Sequence, residues 1–339
     1  MGANTPTDGA FFAAPPMAAP VLPWRTEYGS VEDKGEIVDV GGGVFVYSSP
    51  DYTLDVNSVL VITSDGVVVL DSQLLPCHAE AVVREIRART DKPIRYVSNS
   101  HHHPDHTFGN LVFREQGAEL VSSYFTARMI DGSAFWYLMF LSGLWGEHLP
   151  PGYAVPRETF VRSRELWVGK TVVQLFEFTD STTVAGESVD VTMAWLPQAK
   201  VLHVADVVWP GAHTFFADGT SVPDWFIQLG HLRELVNELK PRVIVPGHGA
   251  PGDVGMIDAQ ERYLRAVARM VEDYCHGGEV PLTNEDKAKL RQDIVNEFPE
   301  HRNQIPLDIS LQLLQMLGPV AFLIGRPDGA NAPRLPKFL

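Results

Sequence analysis

The sequence predicts an α/β fold in which two β-sheets pack face to face between outer helices, followed by a helical C-terminal extension. Three observations predict it. Val-rich strand patterns run in two separate passes, each succeeded by a helical pattern, and polar clusters fall where strands end. Beyond Gly255 the apolar spacing is mostly helical. A chain of 339 residues, 45% hydrophobic and 10% aromatic, can bury a sizeable core, which excludes global disorder.

The elements follow in chain order. Residues 1–30 are rich in Ala and Pro, lack a basic start, and have their apolar stretch broken by Pro15, Pro16 and Pro20. They read as an extended N-terminal arm rather than a secretory signal, which makes a cytoplasmic location the expectation. The alternatives are a disordered tail and an arm that Phe11, Phe12, Leu22 and Trp24 dock on the body or on a second subunit. Strands are predicted over residues 36–40, 44–47, 58–63 and 67–70, punctuated by Gly41-Gly42-Gly43 and the hairpin signal Asp65-Gly66. Residues 78–90 have helical spacing, and 93–97 return to strand.

Residues 123–160 interrupt the pattern as an insertion carrying Phe135, Trp136, Tyr137, Phe140 and Trp145. Aromatics at this density point to core or interface more than to a substrate pocket. The second pass places strands at 165–168, 172–178, 189–196 and 201–204, a helix at 225–239, and a short strand at 240–246 ending in Gly247-His248-Gly249. Helices are expected over 258–275, 284–296 and 309–323. The organisation is thus an arm (1–30), a catalytic domain (31–256, with the 123–160 insertion) and a helical extension (257–339).

Composition excludes several roles. With 27 Lys+Arg against 42 Asp+Glu the formal charge is −15, which disfavours nucleic acid as a partner. Cys77 and Cys275 are too far apart in sequence for a disulfide framework or zinc ribbon. The uncharged stretch 309–325 is interrupted by Gln312, Gln315, Gly318 and Pro319 and is short for a bilayer, so no membrane span is expected. A helix packed on its own domain or in a homodimer fits it better.

The chemistry concentrates in Ser100-His101-His102-His103-Pro104-Asp105-His106. Twelve histidines scattered at random would place about 0.2 in a six-residue window, and this one holds four with an aspartate. Imidazole and carboxylate are zinc ligands. A strand end followed by a tight turn can aim His101 and His103 at one point and Asp105 and His106 at another, so the spacing suggests two metals. His102, between two ligands, should point away, supporting the site or facing solvent.

The pattern His101-x-His103-x-Asp105-His106 after a Val-rich strand resembles the H-x-H-x-D-H motif of the metallo-β-lactamase superfamily. The resemblance runs over roughly residues 35 to 255 and implies a four-layer αβ/βα sandwich. Asp71, closing the strand before it, matches an aspartate that supports the metal site from beneath. Asp206 resembles the carboxylate bridging two metals, and His248 the last histidine ligand. Where most members carry a further histidine, this chain has Ala185-Gly186-Glu187-Ser188, and Glu187 is similar to the ligand glutamate of the alkylsulfatase branch. His213, seven residues after Asp206, resembles a histidine of that branch.

The resemblance implies a hydrolase with two zinc ions, manganese or iron being possible given the carboxylates. One metal would take His101, His103 and Glu187, and the other Asp105, His106 and His248, with Asp206 bridging them or on the second. The metals would make hydroxide available near neutral pH, held by Asp105 and Asp206, with Asp71 orienting imidazoles. Candidate substrate contacts are His213, Trp209, Trp225, Trp136 and Phe140. Alkylsulfatase-like ester hydrolysis is one implied activity, yet no Lys or Arg stands between Lys200 and Arg233, where that branch places an arginine. A lactonase, esterase or aromatic hydrolytic dehalogenase acting on an apolar small molecule is the second enzyme reading, and a non-hydrolytic di-iron or metal-binding scaffold is the third.

Overall fold

The structure is a computed structural model, and it describes residues 35–178, 186–216, 220–276, 282–318 and 323. The first pass forms β1 (Glu36–Gly41), β2 (Val44–Ser48), β3 (Asn57–Ile62) and β4 (Val67–Leu70), then α1 (Pro76–Arg87) and β5 (Ile94–Ser98). Two short helices, α2 (Pro104–Thr107) and α3 (Asn110–Glu115), lead to β6 (Glu119–Ser123), α4 (Tyr124–Trp145) and β7 (Glu158–Phe160). These strands make a seven-stranded sheet in the order β1 to β7. Its β1–β4 half is antiparallel and its β4–β7 half parallel.

The second sheet holds β8 (Ser163–Val168), β9 (Thr171–Glu177), β10 (Thr192–Leu196), β11 (Val201–His203) and, after α5 (Val222–Leu239), β12 (Val243–Val245). Its order is β12-β11-β10-β9-β8, with β11 and β12 parallel. The chain closes with α6 (Gly255–Tyr274), α7 (Asn284–Glu297) and α8 (Gln304–Leu317).

The period-2 pattern decides which faces meet. Val44 and Val46, Val59 and Val61, and Val68 and Leu70 point from the first sheet onto Leu166, Val168, Val173, Leu175, Ala194 and Leu196 of the second. The alternate residues Leu60, Val67, Val69 and Val97 face outward onto Val82 and Ile86 of α1 and Phe113 of α3. On the opposite side Met193, Trp195 and Leu202 meet Leu229 and Leu232 of α5 and Ile257 and Leu264 of α6. Four layers result, as the sequence predicts, and each fully buried Val or Leu contributes roughly 1.5–3 kcal/mol.

Three local expectations are corrected. The strand expected at 189–196 begins only at Thr192, before which the backbone carbonyl of Asp190 accepts from Thr126 Oγ1 at 3.0 Å instead of from a ladder partner. The 123–160 stretch is no mere insertion: its end, β7, pairs with β6 as the seventh strand. The helix expected at 309–323 starts earlier, at Gln304. It buries Leu307, Leu311 and Leu314 in one cluster of its own chain and Ile309 and Leu313 in another. The expected arm, residues 1–30, lies outside the described residues. Among the described residues no helix is long and apolar enough to cross a membrane.

Candidate metal centre

Strand order brings the polar clusters to one end of the sandwich. β4 and β5 are parallel neighbours, so Asp71 and the 99–106 loop leave the first sheet together. Glu187 precedes β10, Asp206 follows β11 and His248 follows β12 on the facing sheet. Two tight turns complete the approach. Asp71 and Ala205 sit in the left-handed region at φ 63° and 49°, conformations that cost a non-glycine residue of order 1 kcal/mol. A Cβ on Gly247 would stand 1.8 Å from Asp206 Oδ1, so only glycine lets this turn close on the carboxylate.

Two buried groups of donor atoms form there: His101, His103, Glu187 and Asp206, and Asp105, His106, Asp206 and His248. Within each, the atoms all lie within 4.8 Å of one another. His103 Nδ1 is 2.8 Å from Glu187 Oε1, and His101 Nε2 is 3.7 Å from both Glu187 Oε2 and Asp206 Oδ2. In the second group His248 Nε2 stands 3.2 Å from Asp105 Oδ2 and 3.1 Å from Asp206 Oδ2. Tetrahedral zinc with bonds near 2.05 Å has ligand–ligand edges of roughly 3.3 Å, the middle of this spread.

The hydrogen bonds behind the rings test whether a cation fits. A carbonyl only accepts, so His248 Nδ1 donates to Leu54 O at 2.6 Å. His106 Nδ1 likewise donates to Asp71 Oδ2 at 3.0 Å. The neutral rings then present lone pairs at Nε2, and these two Nε2 atoms face each other across 3.3 Å. Lone pairs so placed repel unless a proton or metal cation lies between them.

Ser100 Oγ donates to Asp71 Oδ2 at 2.8 Å and so accepts from His101 Nδ1 at 2.9 Å, which turns His101 Nε2 towards His103 Nδ1 at 3.0 Å. Asp71 thereby sets the tautomer of one histidine in each group. Glu187 Oε2 and Asp206 Oδ1 are buried and accept no hydrogen bond among the described residues. The donor set therefore fits a metal pair.

The carboxylates perturb the imidazoles in step. Burial alone would lower His248, but Asp206 and Asp105 push it up to about 10. His106 rises above its ordinary range for the same reason, against its burial. Burial pushes Glu187 up to about 7, against the pull of His103, with Asp206 and Asp105 adding to the rise. His101 is lowered to about 3 by burial and by its neighbour His106.

His102 points away from both groups and is buried rather than exposed, its Nδ1 2.7 Å from Asp190 Oδ1. Ser188 Oγ donates to the same oxygen at 2.5 Å, which fastens the Glu187 turn to the histidine loop. Asp190 was not singled out from the sequence; an aspartate three positions after Glu187 was its only signal.

Above the centre lies a cavity of about 230 Å³ whose floor is His103, Asp105, Glu187 and Asp206. Of the expected substrate contacts, Trp136, Phe140 and Trp209 line it. Trp136 and Phe140 stack at 4.9 Å with planes 9° apart. Two expectations are corrected. His213 is buried among Tyr263 and His301, with Nδ1 3.1 Å from the Tyr263 hydroxyl, and Trp225 is enclosed in the α5 core, donating to Val207 O. Both sit where the helical layer packs on the second sheet, away from the cavity. Sequence reasoning missed Phe215, Ile309, Leu313 and Met316 of its wall, since apolar spacing does not distinguish a core face from a pocket face.

Residues 51–248 match a family model described as the metallo-beta-lactamase superfamily. Among curated proteins the chain is 22% identical over 203 residues to a metallo-beta-lactamase type 2 from Bacillus sp. (strain 170), covering 59% of this chain and 69% of that one. Among solved structures it is similar to a metallo-beta-lactamase from Pontibacter korlensis, with TM-score 0.56 and 18% identity, over 68% of this chain and 98% of that one. DIM-1 metallo-beta-lactamase gives TM-score 0.51 at 17% identity, over 67% of this chain and 95% of that one. At these identities the structural likenesses carry the fold alone.

Proposed function

The chain belongs to the metallo-beta-lactamase superfamily and is a metallohydrolase, and from that premise we propose that it hydrolyses an uncharged, aromatic-sized small molecule: an ester, a lactone or a chlorinated arene. The observation that carries this reading is the cavity. Its wall is aromatic and aliphatic, from Trp136, Tyr137, Phe140, Trp145, Phe215 and Ile309, and no Lys or Arg lines it among the described residues. An anionic substrate brought there would lose hydration with no Lys or Arg among the described residues to replace it, and the carboxylates at the floor offset most of the charge that two metals would bring.

In this reading His101, His103 and Glu187 hold one metal, and Asp105, His106 and His248 the other, with Asp206 shared; zinc is the proposed occupant. The pair supplies, when bound, an acidified water and a Lewis acid for the electrophile. Asp105, Glu187 and Asp206 bring three negative charges that offset most of two divalent cations. Asp105 and Asp206 form part of the cavity floor and would orient the nucleophile towards the substrate. Asp71 keeps the Nδ1 protons of His106 and, through Ser100, of His101 on the far side of the rings. Trp136, Phe140 and Trp209 would hold the substrate and keep bulk water out.

Glu187 favours a second reading, alkyl sulfate hydrolysis, because a carboxylate in that position is similar to the alkylsulfatase branch. A panel of aryl esters, lactones, chloronitriles, alkyl sulfates and a chromogenic cephalosporin, assayed with zinc or manganese, separates the two. Turnover of neutral aromatic substrates supports the first reading, and sulfate release alone overturns it. Metal analysis accompanies the panel: two irons with visible absorbance would redirect the reading to redox chemistry.

A further inference from the structure

We infer that the C-terminal extension is part of the metal centre, and that Asn303, outside the family-matched residues, is a positioning residue for His248. The inference rests on the reading of the site as a dinuclear metal centre.

The Nδ1 side of His248 has one acceptor among the described residues, the Leu54 carbonyl, which takes its proton at 2.6 Å. That carbonyl sits in an unusual loop. Leu54 and Asp55 are consecutive non-glycine residues in the left-handed region, at φ 77° and 57°. Such a pair holds its shape only where the surroundings impose it. Backbone bonds within the loop, Leu54 N to Asp51 O and Asp55 N to Pro50 O, supply part of that, and residues 302 and 303 supply the side-chain part. Asn303 Nδ2 donates to the second lone pair of Leu54 O at 2.8 Å, and Asn303 N donates to Asp51 Oδ1 at 2.7 Å. Arg302 pairs with Asp55.

Three grips on residues 51 to 55 thus come from one dipeptide at the start of α8. Asn303 is buried and itself left-handed at φ 61°, a conformation Asn tolerates and most side chains do not. With the Asn303 side chain in place the carbonyl faces His248, the ring keeps its Nδ1–H, and Nε2 is left free to bind a cation. Without it the Leu54 peptide is held only by Asp55 N, which donates to Pro50 O at 3.2 Å, and by His248 itself, so the acceptor of His248 is less firmly fixed. The group of His101, His103 and Glu187 shares only Asp206 with the group that holds His248, so the effect should fall mainly on one metal of the two.

The test is zinc titration of the full-length apoprotein with a competing chromogenic chelator, for wild type, Asn303→Gly and Asn303→Asp. Glycine keeps the left-handed backbone and removes the donor; aspartate keeps the shape and removes the donor. Both variants should bind the first equivalent as wild type does and the second about 10-fold or more weaker. Lys287→Ala serves as control, because it loosens α7 from Gln312 and Gln315 of α8 without touching residues 51 to 55. It should leave both steps unchanged while lowering the thermal midpoint.

Equal binding of both equivalents by Asn303→Gly and wild type would overturn the inference, as would parallel weakening of both steps in the control. A wild-type protein that takes up no metal would instead overturn the underlying reading.

Discussion

The indole of Trp209 lies flat on the imidazole of His248, with ring centroids 3.6 Å apart and planes 12° from parallel. Its Nε1 donates to Asp206 O at 3.1 Å, and its backbone N donates to Gln260 Oε1 at 2.9 Å. One residue thus backs two of the proposed ligands and walls the cavity. Trp209→Ala should cost about 3–5 kcal/mol of stability and lower zinc retention. Trp209→Phe, which keeps a stacking face, should lose about half as much. Urea denaturation with and without zinc reads both effects.

Asp71→Asn should weaken both metal steps, because Asp71 sets the tautomer of His106 directly and of His101 through Ser100. A loss of about 10- to 100-fold in affinity at each step is expected. The contrast with Asn303→Gly, which should affect a single step, separates the two supports. Chelator competition measures it, and loss confined to one equivalent would refute the shared role.

Zinc uptake should release protons, and apparent affinity should rise with pH. Without metal, His248 is pushed up to about 10, burial opposing and Asp206 driving the shift. Burial pushes Glu187 up to about 7. Both therefore carry a proton over much of the range below pH 7 and must lose it to coordinate a cation. Affinity should climb steeply up to pH 7, where Glu187 and the raised imidazoles of His248 and His106 all exchange protons, and less steeply above pH 7, where only the imidazoles do. Calorimetry in buffers of different ionisation enthalpy should find more protons released per zinc at pH 6 than at pH 8.

Phe140→Ala should raise KM for neutral aromatic substrates by about tenfold, the equivalent of losing one ring's burial, with kcat nearly unchanged. Phe140 lines the cavity without belonging to either donor group. A fall in kcat at constant KM would place this ring in the chemistry rather than in binding.

Met316→Arg should shift preference towards anionic esters. Met316 is exposed and lines the cavity, which has no cation of its own among the described residues. The ratio of kcat/KM for an aryl sulfate over the matching neutral ester should rise severalfold. An unchanged ratio would show that charge at this wall does not limit substrate choice.

Much of the architecture was legible because it is written in short-range pattern. The Val-rich runs of β2, β3 and β4 need no distant information to declare strands, and the spacing of 258–275 declares a helix. Glu187 was legible as a partner of His101 and His103 only through family resemblance, since nothing local marks one acidic side chain among 42. The strand start at Thr192 was misread for a tertiary reason. Ser188 and Asp190 follow an alternating pattern, but the Asp190 carbonyl is taken by the hydroxyl of Thr126, 64 positions away.

By itself the sequence determined the layers, the acidic charge and the cluster of nitrogen and oxygen donors, because residue type and local periodicity act over a few bonds. Tertiary structure alone decided that Trp136 and Phe140 wall a cavity while His213 and Trp225 sit apart from it. It also decided that the Leu54 carbonyl serves both His248 and Asn303, residues 194 and 249 positions away from it. The direction of a hydrogen bond and the emptiness of a pocket depend on how distant segments meet, and the composition and spacing of neighbouring residues carry no record of that.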